Sequence, residues 1–397
     1  MSKEDTVLNV ARKAREASNK LQHVTTEEKN LEGGDKFATM LQGILDIDKL
    51  PDPTGQITYS SRLDHGLELY RVTCPVGVLL VIFEARPEVI VNISALALKS
   101  GNAVILKGGR ESRLSLNVLS TAIQNALGDT MIPKDTVQLV ETREEIKALL
   151  DLDKYIDLVI PRGSNSLVRY IQENTRIPVL GHADGICSIY VDKDADLEKA
   201  IRVVVDSKVN YPAACNAVET LLIHQSIVST HLQHIAIALQ NSRVKLHADI
   251  KSFSQLSKTI TTTLNSSLIE PAVDKDFDTE FLDLEIAIKV IGDLEEAIQH
   301  INEHGSKHTD AIVTENEQVA KRFMQGVDAA GVYWNASTRF ADGFRYGFGA
   351  EVGTHARGPV GLEGLIIYKY KLYGNGHIVG EFGEGEGKKK YLHESIS

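Results

Sequence analysis

The segment 211–217 (YPAACNA) contains the residue best suited to covalent chemistry, Cys215. Pro212 favours the end of a preceding helix, and small alanines flank the cysteine, so we expect an accessible thiol on a loop. A thiolate attacks carbonyl carbons. The amides of Cys215 and Asn216, or the Asn216 side chain, could receive the charge that develops on the attacked oxygen. The alternative is that Cys215 is a small buried hydrophobe, and these residues alone leave both interpretations open.

The other cysteines and the histidines indicate neither metal nor disulfide chemistry. Cys74 precedes a proline at a predicted strand start, and Cys187 lies inside an apolar run, so an inert core thiol is the better interpretation of each. Three widely separated cysteines make no disulfide framework or CxxC pair, and the 13 histidines include no HExxH motif. The sequence therefore predicts no metal site.

Two glycine-containing turns favour a bound nucleotide. Lys107 ends a predicted strand and could hold a ribose hydroxyl or a 2′-phosphate, while Gly108 permits close backbone approach. Gly163 and Ser164 repeat this arrangement and open a predicted helix toward a pyrophosphate. An ordinary helix cap is the alternative for either turn alone, but both lie at strand ends of one predicted sheet. The GxGxxG motif is absent, which disfavours a standard Rossmann dehydrogenase.

Polar loops in the second half of the chain could hold an anionic substrate. Asn335 and Arg339 lie in one such loop, and His355 and Arg357 lie in another. Together with Arg86, these arginines could bind carboxylate or phosphate by bidentate contacts. For any single arginine, a solvated loop residue is the alternative interpretation.

Alternating strands and helices must position these residues. The run 76–83 is continuously apolar, as in a strand covered on both faces, and further strands are predicted at 103–106, 136–140 and 156–160 with helices between them. Strict alternation indicates parallel pairing in a doubly wound sheet, with ligands at the carboxyl ends of its strands. A second block of the same pattern begins with a strand at 186–191.

Two other regions depart from this alternation. The stretch 56–72 alternates in polarity around a turn at 64–66, which predicts a protruding β-hairpin, and a late strand is predicted at 366–372. Such elements often build oligomer contacts. The glycine-rich tail, 377–397, has little apolar content, which predicts mobility.

The whole-chain composition limits the classes of protein. With 397 residues, 43% of them apolar, the chain has enough material for two cores. Its net charge of -11 and the lack of a basic arm make nucleic acid an unfavourable partner. The apolar runs are shorter than the roughly 20 residues that cross a bilayer. We expect a soluble, cytoplasmic, unsecreted enzyme.

Several segments together resemble the γ-glutamyl phosphate reductases, a branch of the aldehyde dehydrogenases. The resemblance extends from about residue 35 to residue 376. The segments that carry it are 76–87, 99–103, 106–109, 161–165, 181–185, 211–217, 308–312, 335–340 and 355–361.

This resemblance implies an aldehyde dehydrogenase-like α/β fold, with two doubly wound α/β domains and an oligomerisation β-hairpin. The implied NADPH-binding domain is 1–185, to which 355–376 return, with the hairpin at 54–74. The implied catalytic domain is 186–354, and a tail, 377–397, follows.

The resemblance also implies roles for residues. Cys215 is the expected nucleophile, Lys107 with Gly163 and Ser164 is expected to face NADPH, and Glu280 is expected to contact the nicotinamide ribose. The implied reaction forms a thioester from the γ-acyl phosphate of glutamate, and hydride transfer then gives the semialdehyde.

Water must not reach such a thioester before the hydride does. Oxidising aldehyde dehydrogenases keep a glutamate base that activates water, and here the corresponding place falls near His182. The missing carboxylate fits a reductase. A cap at a strand end is an equally good interpretation of His182.

Two other functions stay open at this point. A non-phosphorylating aldehyde dehydrogenase would not need phosphate, and an inactive nucleotide-binding scaffold would not need Cys215. Glutamate 5-kinase is a further implied partner, because acyl phosphates hydrolyse readily. The chain is also shorter than the family between 25 and 34 and at 353–355, and we interpret both as residues missing from the sequence given rather than true deletions.

Overall fold

The computed structural model describes Glu16 and residues 35–84, 89–181, 184–258, 264–348, 352–355 and 358–396. The strands of these residues, in chain order, are β1 (Ile57–Asp64), β2 (Leu67–Pro75), β3 (Val78–Phe83), β4 (Ala103–Lys107), β5 (Val137–Leu139), β6 (Leu158–Arg162), β7 (Cys187–Val191), β8 (Val218–His224), β9 (Lys245–Ala248), β10 (Ile269–Pro271), β11 (Glu285–Ile291), β12 (Thr309–Val313), β13 (Gly331–Trp334), β14 (Gly353–His355), β15 (Gly358–Val360), β16 (Ile366–Tyr373) and β17 (Glu394–Ser395). The α-helices are α1 (Asp35–Lys49), α2 (Val89–Lys99), α3 (Arg113–Leu127), α4 (Arg143–Leu149), α5 (Asn165–Glu173), α6 (Leu197–Val209), α7 (Gln233–Asn241), α8 (Ile250–Ser257), α9 (Leu294–His304) and α10 (Glu317–Gly326).

The first parallel sheet has the strand order β5-β4-β3-β6. Its apolar runs are continuous because helices cover both faces: Leu79 and Val81 of β3 pack with residues of α1, α2 and α3, whereas Leu80 and Ile82 pack with residues of α4 and α5. The chain adds β4 and β5 on one side of β3 and then β6 on the other. The topological switch point therefore lies between β3 and β6, where a doubly wound sheet binds its ligand.

The second parallel sheet has the order β10-β9-β11-β8-β7-β12-β13. Its central strand β8 buries Leu221 against the face that carries α6 and α7, and Leu222 against the face that carries α9 and α10. Both predicted blocks are therefore doubly wound, and the predicted α/β class is confirmed in the described residues.

One strand is offset from its predicted position because a distant neighbour sets its limits. The apolar pattern predicts a strand at 156–160, whereas β6 runs from Leu158 to Arg162. It pairs in parallel with β3, Leu79 opposite Leu158 and Phe83 opposite Arg162, so register with β3 carries it past the apolar run. The offset matters for function, because it brings Arg162 to the end of the sheet beside Gly163.

The antiparallel sheet has the order β16-β2-β1-β17. The predicted hairpin and late strand form three of its strands. The tail is more ordered than its composition predicts: Ser395 pairs with Ser61, and the rings of Phe382 and Tyr391 stack at 4.5 Å between centroids. No helix in the described part of the chain is long and apolar enough to span a membrane.

Candidate active site

A cavity of about 560 Å³ opens where the carboxyl ends of β3 and β6 face the loop between α6 and β8. It therefore lies at the switch point of the first sheet. Its other wall is formed by loops that connect elements of the second sheet. Its lining residues are Phe83, Glu84, Val89, Ile160, Pro161, Arg162, Gly163, Ser164, Asn165, Val168, Leu180, Asp184, Gly185, Tyr211, Ala213, Ala214, Cys215, Asn216, Glu280, Leu282, Arg339, Ala341, Asp342 and Val360.

Cys215 lies on the wall of this cavity and is partly exposed, so it is not a fully buried core thiol. Its loop follows α6, and Tyr211 adopts a left-handed φ of 65° where the loop leaves the helix. The loop packs closely on Gly185, where a Cβ atom would lie 2.7 Å from the Cys215 Cα. The nucleophile loop, residues 210–217, is thus held against the residue that precedes the second sheet.

The other two cysteines lie away from the cavity lining. Cys187 is fully buried in β7 and its thiol donates to the Cys215 carbonyl oxygen at 3.3 Å. Burial raises the pKa of the Cys187 thiol well above its ordinary value, which keeps it neutral. Cys74 lies near the end of β2, not at a strand start as its neighbouring proline suggested.

Asn216 also lines the cavity, but its side-chain amide already makes a hydrogen bond within the protein. Its Nδ2 donates to the Ala341 carbonyl at 2.8 Å, and its backbone carbonyl accepts from the Thr338 hydroxyl at 2.7 Å. The Oδ1 atom is buried and has no hydrogen-bond partner among the described residues. The side chain therefore anchors the loop that carries Cys215 to the segment after β13.

Gly163 and Ser164 form the predicted turn at the start of α5, on the cavity side. The Ser164 amide donates to the carboxylate of Glu84 at 2.9 Å, whereas the Ser164 side chain makes no capping hydrogen bond to this helix. A Cβ at Gly163 would collide with the Glu84 carboxylate. The Glu84 carboxylate, an anionic group, thus already binds the backbone amide at the start of α5. The sequence predicts that a pyrophosphate binds at this same position.

Glu280 faces the same cavity from the segment before β11. Burial raises its carboxyl pKa to about 7, although a hydrogen bond from the Gly185 backbone opposes the shift. A Cβ at Gly185 would lie 2.7 Å from both the Cys215 Cα and the Glu280 Oε1 atom. Glu280 and the nucleophile loop are therefore close neighbours beside Gly185.

Lys107 and Gly108 lie apart from this cavity. Lys107 is buried, with 8% of its surface exposed, at the end of β4. Gly108 lines a separate cavity of about 330 Å³ at the ends of β4 and β5, together with Arg110 and Arg113. A Cβ at Gly108 would lie 3.0 Å from the Phe83 ring, and Phe83 also lines the first cavity, so the two cavities adjoin at this residue.

The predicted substrate residues separate into two groups. Arg339 lines the cavity, donates from Nε to the Asn210 carbonyl at 2.5 Å, and lies 6.0 Å from the Tyr211 ring centroid. Burial lowers the pKa of its guanidinium, and the Cys215 charge opposes that shift. Asn335 does not line the cavity: its amide exchanges two hydrogen bonds of 3.0 Å with the backbone of Thr314.

Four other predictions fall wholly or partly outside the described residues. Arg86, His182 and Arg357 lie outside them, and only the backbone of His355 is described, in β14. Sequence reasoning gave no role to Glu84, which the structure brings to the start of α5. Its position directly after a predicted strand was the feature of the sequence that could have indicated this role.

Within the described ranges, no group of three histidine, cysteine or acidic residues is arranged to hold a metal ion.

The chain belongs to the aldehyde dehydrogenase family, whose family model matches residues 4–261. It is 56% identical over 385 residues to the probable γ-glutamyl phosphate reductase of Schizosaccharomyces pombe, covering 96% of this chain and 85% of the relative. The γ-glutamyl phosphate reductase of Saccharomyces cerevisiae is 53% identical over 378 residues, covering 91% and 83%.

A solved structure extends this likeness to the fold. The γ-glutamyl phosphate reductase of Thermotoga maritima is 36% identical and superposes with a TM-score of 0.87, covering 94% of this chain and 99% of the other. These comparisons confirm the assignment to the γ-glutamyl phosphate reductases and the aldehyde dehydrogenase-like fold. Membership in this family supports a nicotinamide cofactor.

Proposed function

We propose that the chain reduces L-glutamyl 5-phosphate to L-glutamate 5-semialdehyde with NADPH, releasing phosphate, in proline biosynthesis. The observation that carries this proposal is the position of Cys215 on the wall of the cavity that also contains the α5 start. The nucleophile Cys215 and the proposed dinucleotide site at the α5 start then line the same cavity. The names of the relatives supply the substrate.

Cys215 performs the covalent step. Its thiolate attacks the acyl carbon, the carbon–oxygen bond to the phosphate breaks, and a thioester forms while phosphate leaves. We assign the developing oxyanion to the backbone amide of Asn216, because the Asn216 side chain already donates to Ala341. Arg339 lies at the same wall and supplies positive charge near the sulfur and the substrate phosphate.

The described residues fit a dinucleotide at this site. Gly163 has no side chain of its own, and the Ser164 amide already binds an anionic group, the Glu84 carboxylate, which lies against this turn. We propose that Ser164 donates to the pyrophosphate, that Glu84 moves aside, and that Glu280 accepts from the nicotinamide ribose. When bound, the cofactor supplies the hydride that reduces the thioester. Cys215 then leaves as a thiolate when the resulting tetrahedral adduct collapses to the aldehyde.

We further propose the finer properties of the enzyme. The cofactor is NADPH, with Lys107 and Gly108 near the adenosine end. The one free carboxylate of the substrate and its phosphate are held by Arg339 together with Arg86, Asn335, His355 and Arg357. Because its side chain is committed to Thr314, Asn335 would act by shaping its loop. The chain acts in the cytoplasm as a homo-oligomer, and direct handover from glutamate 5-kinase is a further prediction.

The test follows the reverse reaction with purified protein. NADP reduction by glutamate 5-semialdehyde should require inorganic phosphate, because only phosphate can release the acyl group as the acyl phosphate. Turnover without phosphate would instead favour a non-phosphorylating dehydrogenase. Cys215→Ala should abolish turnover, whereas no activity in the parent chain would favour an inactive scaffold.

A further inference from the structure

The catalytic domain buries an ion pair that the reaction does not use. Lys208 Nζ and Glu219 Oε2 lie 2.6 Å apart, and neither side chain has any exposed surface. Burial is the largest influence on both groups: it raises the pKa of Glu219 to about 7 and lowers that of Lys208, while each charge opposes the shift of the other. The two ions therefore depend on each other for their charged states.

This pair lies at the two ends of the nucleophile loop. Lys208 is in the last turn of α6, and Glu219 is the second residue of β8, so the loop that contains Cys215 begins and ends beside the pair. β8 is the central strand of its sheet and α6 packs on that sheet, so both anchors are rigid. The ion pair thus fixes the separation between the points where the loop starts and stops.

Glu219 also contacts a second segment that lines the cavity. Its second oxygen, Oε1, accepts from the Leu282 amide at 3.4 Å, and Leu282 lines the cavity beside Glu280. Leu282 has a left-handed φ of 56°, and Tyr211, three residues after Lys208, has a φ of 65°. Such conformations are strained for side chains other than glycine, so the surroundings must hold both residues in place.

Stability alone is a weak reason for such a pair. Removing water from two charges is strongly unfavourable, and apolar replacements of similar volume are often neutral or stabilising. A role in fixing the positions of neighbouring segments explains why charged side chains are buried at this place. One carboxylate links the end of α6, the start of β8 and the segment that carries Glu280.

We propose that the buried Lys208–Glu219 pair is a positioning device that holds the nucleophile loop in register with the Glu280 segment. Neither residue touches the substrate. The pair acts through the backbone, by fixing the positions of Cys215 and Glu280 next to Gly185. This inference rests on the proposed function, because it assigns the pair to the same reaction.

The test replaces both charges with apolar side chains, Lys208→Met together with Glu219→Leu. Apolar replacement should preserve the unfolding midpoint, while kcat for reduction of the acyl phosphate falls by about 100-fold, because small displacements of reacting groups cost that much. Alkylation of Cys215 by iodoacetamide, followed by mass spectrometry of its peptide, should slow by about tenfold. A purely structural pair would change neither rate in a stably folded variant.

An exposed ion pair of the same domain provides the matched control. Arg322 and Glu295 lie 2.5 Å apart with 47% and 61% of their side chains exposed, so Arg322→Met with Glu295→Leu should retain parental rates. If the buried double variant does not fold, Glu219→Gln replaces it, since it keeps an acceptor for Leu282 but removes the charge. It should lower both rates.

Parental kcat and parental alkylation in either folded variant would overturn the positioning role. An inactive parent chain would instead remove the proposed function. The alkylation rates, compared between parent and variants, would still decide whether the pair positions Cys215.

Discussion

Glu280 combines a buried carboxyl with a place beside the nucleophile loop, and its ionisation therefore couples stability to pH. Its ordinary pKa of 4.5 describes the unfolded chain, and burial raises the folded value to about 7. Between these values the folded chain keeps a proton that the unfolded chain has lost. The stabilisation is therefore complete below pH 4.5 and is lost as pH rises through 7.

Glu280→Gln should remove this dependence, because glutamine does not ionise. The free energy of unfolding at pH 8 should exceed that of the parent by about 2 kcal/mol, with a much smaller difference at pH 5. Urea denaturation at both pH values measures it. Glu363→Gln, at an exposed carboxyl, serves as the control, and an unchanged pH dependence in Glu280→Gln would contradict the buried carboxylate.

At the scale of elements, the site depends on a contact between two backbones. Gly185 lies between the first sheet's block and β7, and the nucleophile loop packs directly on it. A Cβ there would collide with the Cys215 carbonyl and lie 2.7 Å from the Glu280 carboxylate. The nearest contacts are with backbone atoms of Cys215, so a movement of the Glu280 side chain alone would not make room.

Gly185→Ala should therefore displace the nucleophile loop. We expect kcat to fall by about 100-fold and the free energy of unfolding to fall by about 1 to 3 kcal/mol. Steady-state kinetics and denaturation on the same preparation measure both. Gly380→Ala, where no atom lies within 4 Å of the added Cβ, is the control. A fully active Gly185→Ala enzyme would show that the two segments are not in contact.

The sequence predicts many of these helices and strands but not the contacts between segments that are distant in the chain. Thr142 and Glu145 form a capping box, with the Thr142 hydroxyl accepting from the Glu145 amide at 3.2 Å. A threonine followed three residues later by a glutamate predicts such a cap, because a cap involves neighbouring residues only. The approach of Glu84 to Ser164 spans 80 residues and depends on β6 pairing with β3. No local pattern encodes that pairing.

For the molecule as a whole, the antiparallel sheet is the surface best suited to self-association. Its strand β16 is exposed over nearly its whole length and presents Tyr368, Tyr370 and Leu372 to solvent. β16 also forms one edge of the sheet, which leaves its outer backbone groups ready to pair. An apolar edge strand of this length is typical of an interface between copies of a chain.

Leu372→Glu should weaken that association, because it places a charge among apolar side chains at the contact. Light scattering after size-exclusion chromatography should give an oligomeric mass for the parent chain and a smaller mass for the variant. Val273→Glu changes an equally exposed apolar residue outside this sheet and should keep the parental mass. A monomeric parent chain would contradict the prediction of a homo-oligomer.

The predicted domain limits at residues 185 and 354 stay predictions.

The sequence by itself determined the succession of strands and helices and the family, because periodicity and short motifs are properties of neighbouring residues. Through the family resemblance it also favoured Cys215 as the nucleophile. Only the tertiary structure decided what surrounds that thiol. It turned the Asn335 side chain toward Thr314 and enclosed Lys208 with Glu219. These outcomes depend on which distant segments share a core, and burial and charge pairing arise only after those segments have packed together.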